Sequence, residues 1–255
     1  MASFTVDIKH QHIAEFDPIS LEEMDNVKLQ DRVDTKYVLG AAELDDVLKA
    51  MLPDYRLLEV KGLRGTNYRS LYFDTPDLKH YQDHHNKRTF RVKVRFREYV
   101  GSGLAYLEVK RKTGTGRTDK ARIKVTGIPE MLDAVQTEFV TKASNSDQAL
   151  QPSIWNSFMR YTFVNKHTPE RLTMDVDLRY SDADTEKQLG PIVVAELKQS
   201  RADRTSPFVR IMRSRGIQPS GLSKYCIGVL MLGKNVKYNA FKPVLLMLDR
   251  IRKAA

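Results

Sequence analysis

Between Lys87 and Lys124 the chain alternates cationic and apolar residues over a long stretch, and few folds accommodate such a pattern. Thirteen side chains there are Lys or Arg and only Glu98, Glu108 and Asp119 oppose them, a net of +10 that equals the formal charge of the whole chain. Phe90-Arg91-Val92-Lys93-Val94-Arg95-Phe96-Arg97 alternates without a break. A strand sends successive side chains to opposite faces, so Arg91, Lys93, Arg95 and Arg97 share one face. Tyr106-Leu107-Glu108-Val109-Lys110-Arg111-Lys112 places Glu108, Lys110 and Lys112 together, and Arg122-Ile123-Lys124-Val125 repeats the pattern. Three neighbouring strands therefore offer one apolar and one charged face.

Two architectures satisfy this. One is an antiparallel sheet with its core on one side and water on the other. The other is an inverted barrel, apolar outside and charged within. Like charges about 5 Å apart repel by roughly 3 kcal/mol at an effective dielectric near 20, so facing rows of cations in a closed space call for a polyanion, and phosphate is the natural candidate.

At 255 residues, 41% hydrophobic and 29% charged, the chain can bury a sizeable core. It is read as one α+β domain over 1–255, with a core of about 18–235 and a C-terminal amphipathic helix over about 238–253. The pI near 9.5 suits nucleic acid, anionic membrane surface or phosphorylated small molecules alike. Cys226 is the single cysteine, which excludes a disulfide framework and a cysteine metal site. The N-terminal residues show no signal-peptide pattern and no apolar run is long enough to span a bilayer. The expectation is a soluble, cytoplasmic protein.

Along the chain, residues 1–16 read as a lead-in. Ser20 and Glu23 form a capping-box pattern behind Ile19, opening a helix that ends before Arg32. Arg32–Leu39 reads as a strand carrying Arg32, Asp34 and Lys36 on one face. Ala41–Leu52 reads as a helix with Leu44, Val47, Leu48 and Met51 in the core. Tyr68–Phe73 is a strand, Asp77–His85 a short helix, and His84 and His85 are expected at the surface. The loop Thr113–Arg117 lacks the surroundings of a P-loop. Pro129–Arg160 reads as helical and polar, broken at Ala143–Asp147. Arg171–Arg179 alternates again, placing Arg171, Asp175, Asp177 and Arg179 on one face and Leu172, Met174, Val176 and Leu178 on the other. Glu196 and Lys198 share a strand face. Asp203–Arg215 and Leu222–Leu232 read as helices, the second starting near Ser220. The carboxylates Glu108, Asp175, Asp177 and Glu196 either pair with neighbouring cations or supply oxygen ligands to a divalent metal.

Arg32-Val33-Asp34-Thr35-Lys36-Tyr37, Ser70-Leu71-Tyr72-Phe73-Asp74-Thr75, Lys93-Val94-Arg95-Phe96-Arg97, Leu107-Glu108-Val109-Lys110, Arg171 with Asp175 and Asp177, Ala195-Glu196-Leu197-Lys198 and Ser223-Lys224-Tyr225 follow one another in the order seen in VTC domains. In these motifs the sequence resembles the polyphosphate polymerase domains of the vacuolar transporter chaperone family, within the triphosphate tunnel metalloenzymes. The resemblance implies an antiparallel tunnel with a charged interior, flanked by helices. It makes Lys36, Arg95, Arg97, Lys110, Arg122, Arg160, Arg171 and Lys224 phosphate ligands, and Glu196 the ligand of Mn²⁺ or Mg²⁺. Strand parity adds Arg91, Lys93, Lys120 and Lys198. The hydrolytic branch begins with Glu-x-Glu-x-Lys, whereas this chain has Arg32-Val33-Asp34-Thr35-Lys36, which favours the polymerase-like branch. Fungal members also carry an SPX domain and membrane spans, neither of which is read here, so coupling to transport is expected to need a separate membrane partner.

The resemblance implies transfer of the γ-phosphoryl group of ATP to a polyphosphate end. Two alternatives stay open: hydrolysis of triphosphates or nucleoside triphosphates in the same tunnel, and a non-catalytic subunit that binds polyphosphate or nucleic acid. The acidic residues among the cations make a nucleic-acid backbone the poorer partner.

Overall fold

The computed structural model describes residues 10, 12–26, 32–114 and 118–254. A 3-10 turn at Ile13–Glu15 precedes β1 (Pro18–Ile19), α1 (Leu21–Asn26), β2 (Val33–Gly40), α2 (Leu44–Met51), β3 (Tyr55–Leu58) and β4 (Thr66–Asp74). Then follow α3 (Lys79–His85), β5 (Arg91–Tyr99), β6 (Leu104–Lys112), β7 (Thr118–Val125) and α4 (Ala134–Ser144). The chain continues with β8 (Gln151–Asn165), β9 (Glu170–Ser181), β10 (Glu186–Gln188), β11 (Ile192–Gln199), α5 (Pro207–Ser214), α6 (Lys224–Met231) and α7 (Lys242–Ala254). The expected α+β class with a large antiparallel sheet is the one observed. Residues 115–117 of the Thr113–Arg117 loop and most of the N-terminal lead-in lie outside the described residues.

The sheet runs in the order β2-β11-β9-β8-β4-β5-β6-β7, every neighbour antiparallel. It curls towards a barrel without closing: no hydrogen-bonded pairing joins β7 to β2 among the described residues. The two edges nevertheless approach, since Lys120 on β7 feels the charges of Arg32, Asp34 and Lys36 at β2.

Alternation sets what each face buries. On the convex side Leu71, Phe73, Val94, Phe96, Leu107 and Val109 pack with Val140 of α4. Further round, Leu172, Met174, Ala195 and Leu197 pack with Leu44, Val47, Leu48 and Met51 of α2, all four fully buried as their helical spacing predicts. Ser20 and Glu23 form the reciprocal capping box, with Glu23 N donating to Ser20 Oγ at 3.1 Å and Ser20 N to Glu23 Oε2 at 2.9 Å.

The concave face divides into two zones. One is charged. In the other, Val38, Val194, Ile192, Leu178, Tyr180, Ile154 and Tyr72 form an apolar lining covered by Tyr225, Cys226, Ile227 and Val229 of α6. Behind α6, Leu248 of α7 is fully buried against the same cluster, so the C-terminal amphipathic helix docks on its own sheet. No helix among the described residues is long and apolar enough to cross a membrane.

Three expectations need correction. Gln151–Arg160 is strand, the first part of the 15-residue β8, and only Ala134–Ser144 of the preceding segment is α-helix. β8 is a central strand with apolar residues on both faces, Ile154 and Phe158 on one and Trp155 and Met159 on the other, so its apolar residues do not keep the period-2 pattern of a half-exposed strand. Secondly, the β8–β9 register shifts between Ser157 and Met159, and Asp177 adopts φ 51°. This bulge inverts parity beyond it. Leu178 joins the α6 side while Leu172, Met174 and Val176 stay on the α2 side, and Asp177 and Arg179 pair with each other away from Asp175. Thirdly, His84 and His85 are less exposed than a surface placement implies. Both are half-buried; His85 packs on Tyr81 and Phe241, and the Nε2 of His84 is buried.

Candidate active site

The charged zone gathers cations from nearly every long strand. Register places Glu196 opposite Lys36 on one side and Thr173 on the other, with Lys198 opposite Arg171 one step along the same face. Across the curve, Lys93 stands opposite Lys110 and Arg95 opposite Glu108, while Lys110 pairs with Lys120 and Glu108 with Arg122. Arg160 of β8 lies opposite Asp175 of β9, and Lys224 reaches in from the first turn of α6.

Three carboxylates each hold more than one cation. Asp175, 1% exposed, takes a bidentate pair from Arg160 at 2.6 and 2.8 Å and the Lys224 ammonium at 2.5 Å. Burial alone would raise its pKa, but Arg160 and Lys224 outweigh that and hold the carboxyl well below the usual range. Glu196 receives Lys36 at 2.6 Å and Lys198 at 3.1 Å; here too burial is outweighed, by Lys198 and Lys36. Glu108 receives Arg95 at 2.6 Å, with Arg97 further off at 3.8 Å, and is likewise lowered against the effect of burial. The four-carboxylate expectation thus resolves into three ion-paired acids on the concave face and one, Asp177, elsewhere.

Other cations are left over. Lys110 has no hydrogen-bond or ion-pair partner among the described residues, and burial together with Lys93, Lys120 and Lys36 brings its ammonium down to about 8. Among the described residues Lys93 donates only to the Ser223 hydroxyl, at 3.0 Å; burial, with Lys36 and Arg95 adding to it, brings it to about 8 as well. Burial and the Arg95 charge lower Arg97 to about 10. The Nε atoms of Arg91 and Arg97 are buried without a hydrogen-bond acceptor among the described residues. Groups of this kind raise the free energy of the empty site and lower it when an anion supplies the missing charge.

Aromatic rings floor part of the zone. Tyr68 and Phe158 stack at 5.2 Å. Arg160 lies 5.1 Å from the Tyr68 centroid, Arg97 5.2 Å from the same ring and Lys224 4.9 Å from Phe158. Tyr72 accepts from Arg95 at 3.2 Å. Tyr68, Tyr72, Phe158 and Ser223 complete the site and were not singled out as site residues from the sequence, although strand parity puts the two tyrosines on one face.

The sequence-predicted residues are therefore largely brought together. Lys36, Lys93, Arg95, Arg97, Lys110, Arg160, Glu196, Lys198 and Lys224 form one cluster. Arg91 stands at the β5 end of it. Lys120 and Arg122 are exposed on the edge strand β7, with Arg122 4.8 Å from the Tyr106 ring. Arg171 sits at the opposite rim, where its Nη2 donates to the Met24 carbonyl at 3.0 Å.

Among the described residues no three His, Cys, Asp or Glu side chains gather to hold a metal ion. Glu196 offers one carboxylate, which suits a hard divalent ion whose remaining oxygens come from bound phosphates. No closed protein cage is built here.

Similar solved structures are remote. A Hippeastrum protein described as an adenylyl cyclase candidate with a dominant triphosphatase activity is 15% identical, with 82% of this chain and 99% of that one covered at a TM-score of 0.49. An adenylate cyclase candidate from Vibrio parahaemolyticus is 15% identical over 78% of this chain and 99% of its own, at 0.46. The S. pombe Pct1 RNA triphosphatase is 10% identical over 99% of this chain and 93% of its own, at 0.30. Likenesses this distant decide nothing about the chemistry of this chain. No curated protein sequence matches it. The family model of the VTC domain, however, matches residues 31–233, a span that begins just before β2, ends just past α6 and takes in every strand and helix lining the charged zone. On that match the chain belongs to the VTC domain family.

Proposed function

We propose that this protein is a phosphotransferase that moves the γ-phosphoryl group of ATP to the end of a polyphosphate chain. The observation that carries the reading is the excess of convergent cations over carboxylates on one concave face, with no carboxylate paired to Lys93 or Lys110 among the described residues. In the reaction a terminal phosphate oxygen of the acceptor forms a bond to Pγ, the bond from Pγ to the bridging oxygen breaks, and ADP leaves with that oxygen. The attacking oxygen is already ionised at neutral pH and needs no general base. Phosphoryl transfer asks chiefly for positioning and charge neutralisation. Arg95, Arg97 and Arg160 present guanidinium forks suited to phosphate oxygens, and Lys93, Lys110 and Lys224 add point charges where negative charge develops. Glu196 would hold Mn²⁺ or Mg²⁺, whose contribution when bound is charge neutralisation on the triphosphate oxygens.

The test incubates the protein with ATP and Mn²⁺ or Mg²⁺, resolves the products by gel and phosphorus NMR, and runs Lys110→Ala and Glu196→Ala beside it. Long chains that disappear in both variants support the polymerase. Orthophosphate alone makes the enzyme a triphosphatase, with water as nucleophile among the same cations. Metal-independent binding without turnover makes it a polyphosphate-binding subunit.

A further inference from the structure

The motif Tyr72-Phe73-Asp74-Thr75 contributes Tyr72 to the charged zone, yet its aspartate points elsewhere. Asp74 is fully buried and no Lys or Arg among the described residues pairs with it. Its Oδ1 accepts from Thr75 N at 2.7 Å and His80 N at 2.8 Å. Its Oδ2 accepts from Tyr81 N at 3.0 Å and from the Tyr225 hydroxyl. One carboxylate thus joins the end of β4, the first turn of α3 and α6.

Tyr225 follows Ser223 and Lys224 directly. Its ring stacks on Tyr72 at 5.0 Å, and Tyr72 in turn accepts from Arg95. Lys224 meets Asp175 and Ser223 receives Lys93. The Ser153 hydroxyl of β8 also lies 3.3 Å from the Tyr225 hydroxyl, and the remaining contacts of α6 with the sheet among the described residues are apolar packing, which resists separation but permits sliding along the interface. The hydroxyl-to-carboxylate bond is directional, and it fixes the position of α6 along the strand axis.

From this geometry we infer that Asp74 and the Tyr225 hydroxyl are positioning residues, which set where Ser223 and Lys224 stand among the phosphate-binding cations. The inference rests on the proposed role of the charged zone. Neither group is one of those cations. Each acts through α6, and the buried aspartate of the motif is present to receive the tyrosine and the α3 amides together.

Tyr225→Phe is the discriminating variant, because it keeps the stack on Tyr72 and leaves Asp74 with its three backbone donors. Tripolyphosphate binding, without metal, is measured by calorimetry for the wild type, Tyr225→Phe, Lys224→Ala and the double variant, with a thermal melt of each. Tyr225→Phe is expected to weaken binding about tenfold and to lower the melt by several degrees, since it removes a hydrogen bond to a buried carboxylate. In the Lys224→Ala background the same change should cost about twofold or less, since coupled residues are not additive. A purely structural hydroxyl would give the same penalty in both backgrounds or none in either, and both results overturn the inference. Asp74→Asn provides a second variant, expected to be non-additive with Tyr225→Phe. If Lys224→Ala alone leaves tripolyphosphate binding unchanged, the phosphate-binding reading of the zone falls first and the positioning role falls with it.

Discussion

Replacing Asp175 with Asn separates what the site costs the fold from what it gives a ligand. The carboxylate is 1% exposed and neutralises both Arg160 and Lys224. Removing one partner of a buried pair leaves an uncompensated charge and costs about 3–5 kcal/mol. For a chain of this size, each kcal/mol moves the melting temperature by roughly 2–4 °C, so the unliganded variant is expected to melt about 6–20 °C below wild type. Anion binding should move the other way. A unit negative charge ~6 Å from a phosphate oxygen, at an effective dielectric near 20, opposes it by about 2.8 kcal/mol, close to a hundredfold in affinity. Screening trims this, and a ten- to hundredfold tighter complex with tripolyphosphate is expected. The variant should therefore regain more stability than wild type at the same tripolyphosphate concentration, because stabilisation grows as RT ln(1 + [L]/Kd). Scanning calorimetry with and without tripolyphosphate reads both effects. A variant that melts with the wild type shows that Arg160 and Lys224 find water instead. One that binds tripolyphosphate more weakly shows that Asp175 arranges the cations more than it competes with the ligand, and refutes the electrostatic argument.

Two further outcomes follow from the same geometry. Lys93 and Lys110 titrate near 8, below the ordinary lysine value of 10.5, so between those values the unfolded chain holds more protons than the folded one. Their contribution to unliganded stability rises with pH across that window, whereas tripolyphosphate affinity falls through it, with a midpoint above 8 because the anion favours the charged lysines. Calorimetric titrations at pH 7, 8.5 and 10 check this, and a flat affinity would show that neither lysine meets the anion. At Gly228 of α6 an added Cβ would overlap Ile154 and come within 2.5 Å of Tyr180. Gly228→Ala should cost about 1–3 kcal/mol of overpacking and shift α6 away from Asp175, and a thermal melt identical to wild type would show that α6 seats more loosely than it does here.

The strands that were legible in the sequence are those with one clean polar face. β5 and β6 declare themselves by alternation, because one face meets the α4 core and the other meets the charged zone. α2 declares itself by four fully buried residues at helical spacing. β8 did not, because apolar residues stand on both of its faces and its concave face mixes Ile154, Phe158 and Arg160. Parity is also blind to a bulge. Nothing in Asp175-Val176-Asp177 announces that Asp177 takes a positive φ and sends everything beyond it to the other face. Counter-ion partners were out of reach for a different reason, since Lys224 lies 49 residues from Asp175 and arrives on a helix from outside the sheet. His84 illustrates the same limit. Its sequence neighbours suggest a surface, but α3 packs against β5, and burial with the charges of Lys93 and Arg91 drives its imidazole down to about 2.

The division of labour among the cations has a consequence for how a polyanion enters. Arg95, Arg160, Lys36, Lys198 and Lys224 are already paired with Glu108, Asp175 and Glu196, so a phosphate reaching them must compete with a carboxylate that is held ionised. Among the described residues no carboxylate pairs with Lys93 or Lys110, although the charge of Glu196 reaches Lys110. These two lysines are the steepest part of the attraction, and an incoming chain gains most by meeting them first. The paired cations then contribute in proportion to how far a phosphate displaces the internal acid, which keeps the empty site folded without making it a permanent trap. This arrangement predicts an affinity set mainly by Lys93 and Lys110 and a specificity for phosphate number set by the three carboxylate-bound groups. Only a ligand long enough to reach a second of these groups recovers the cost of displacing the first, so triphosphate should gain over pyrophosphate by more than one added charge would supply.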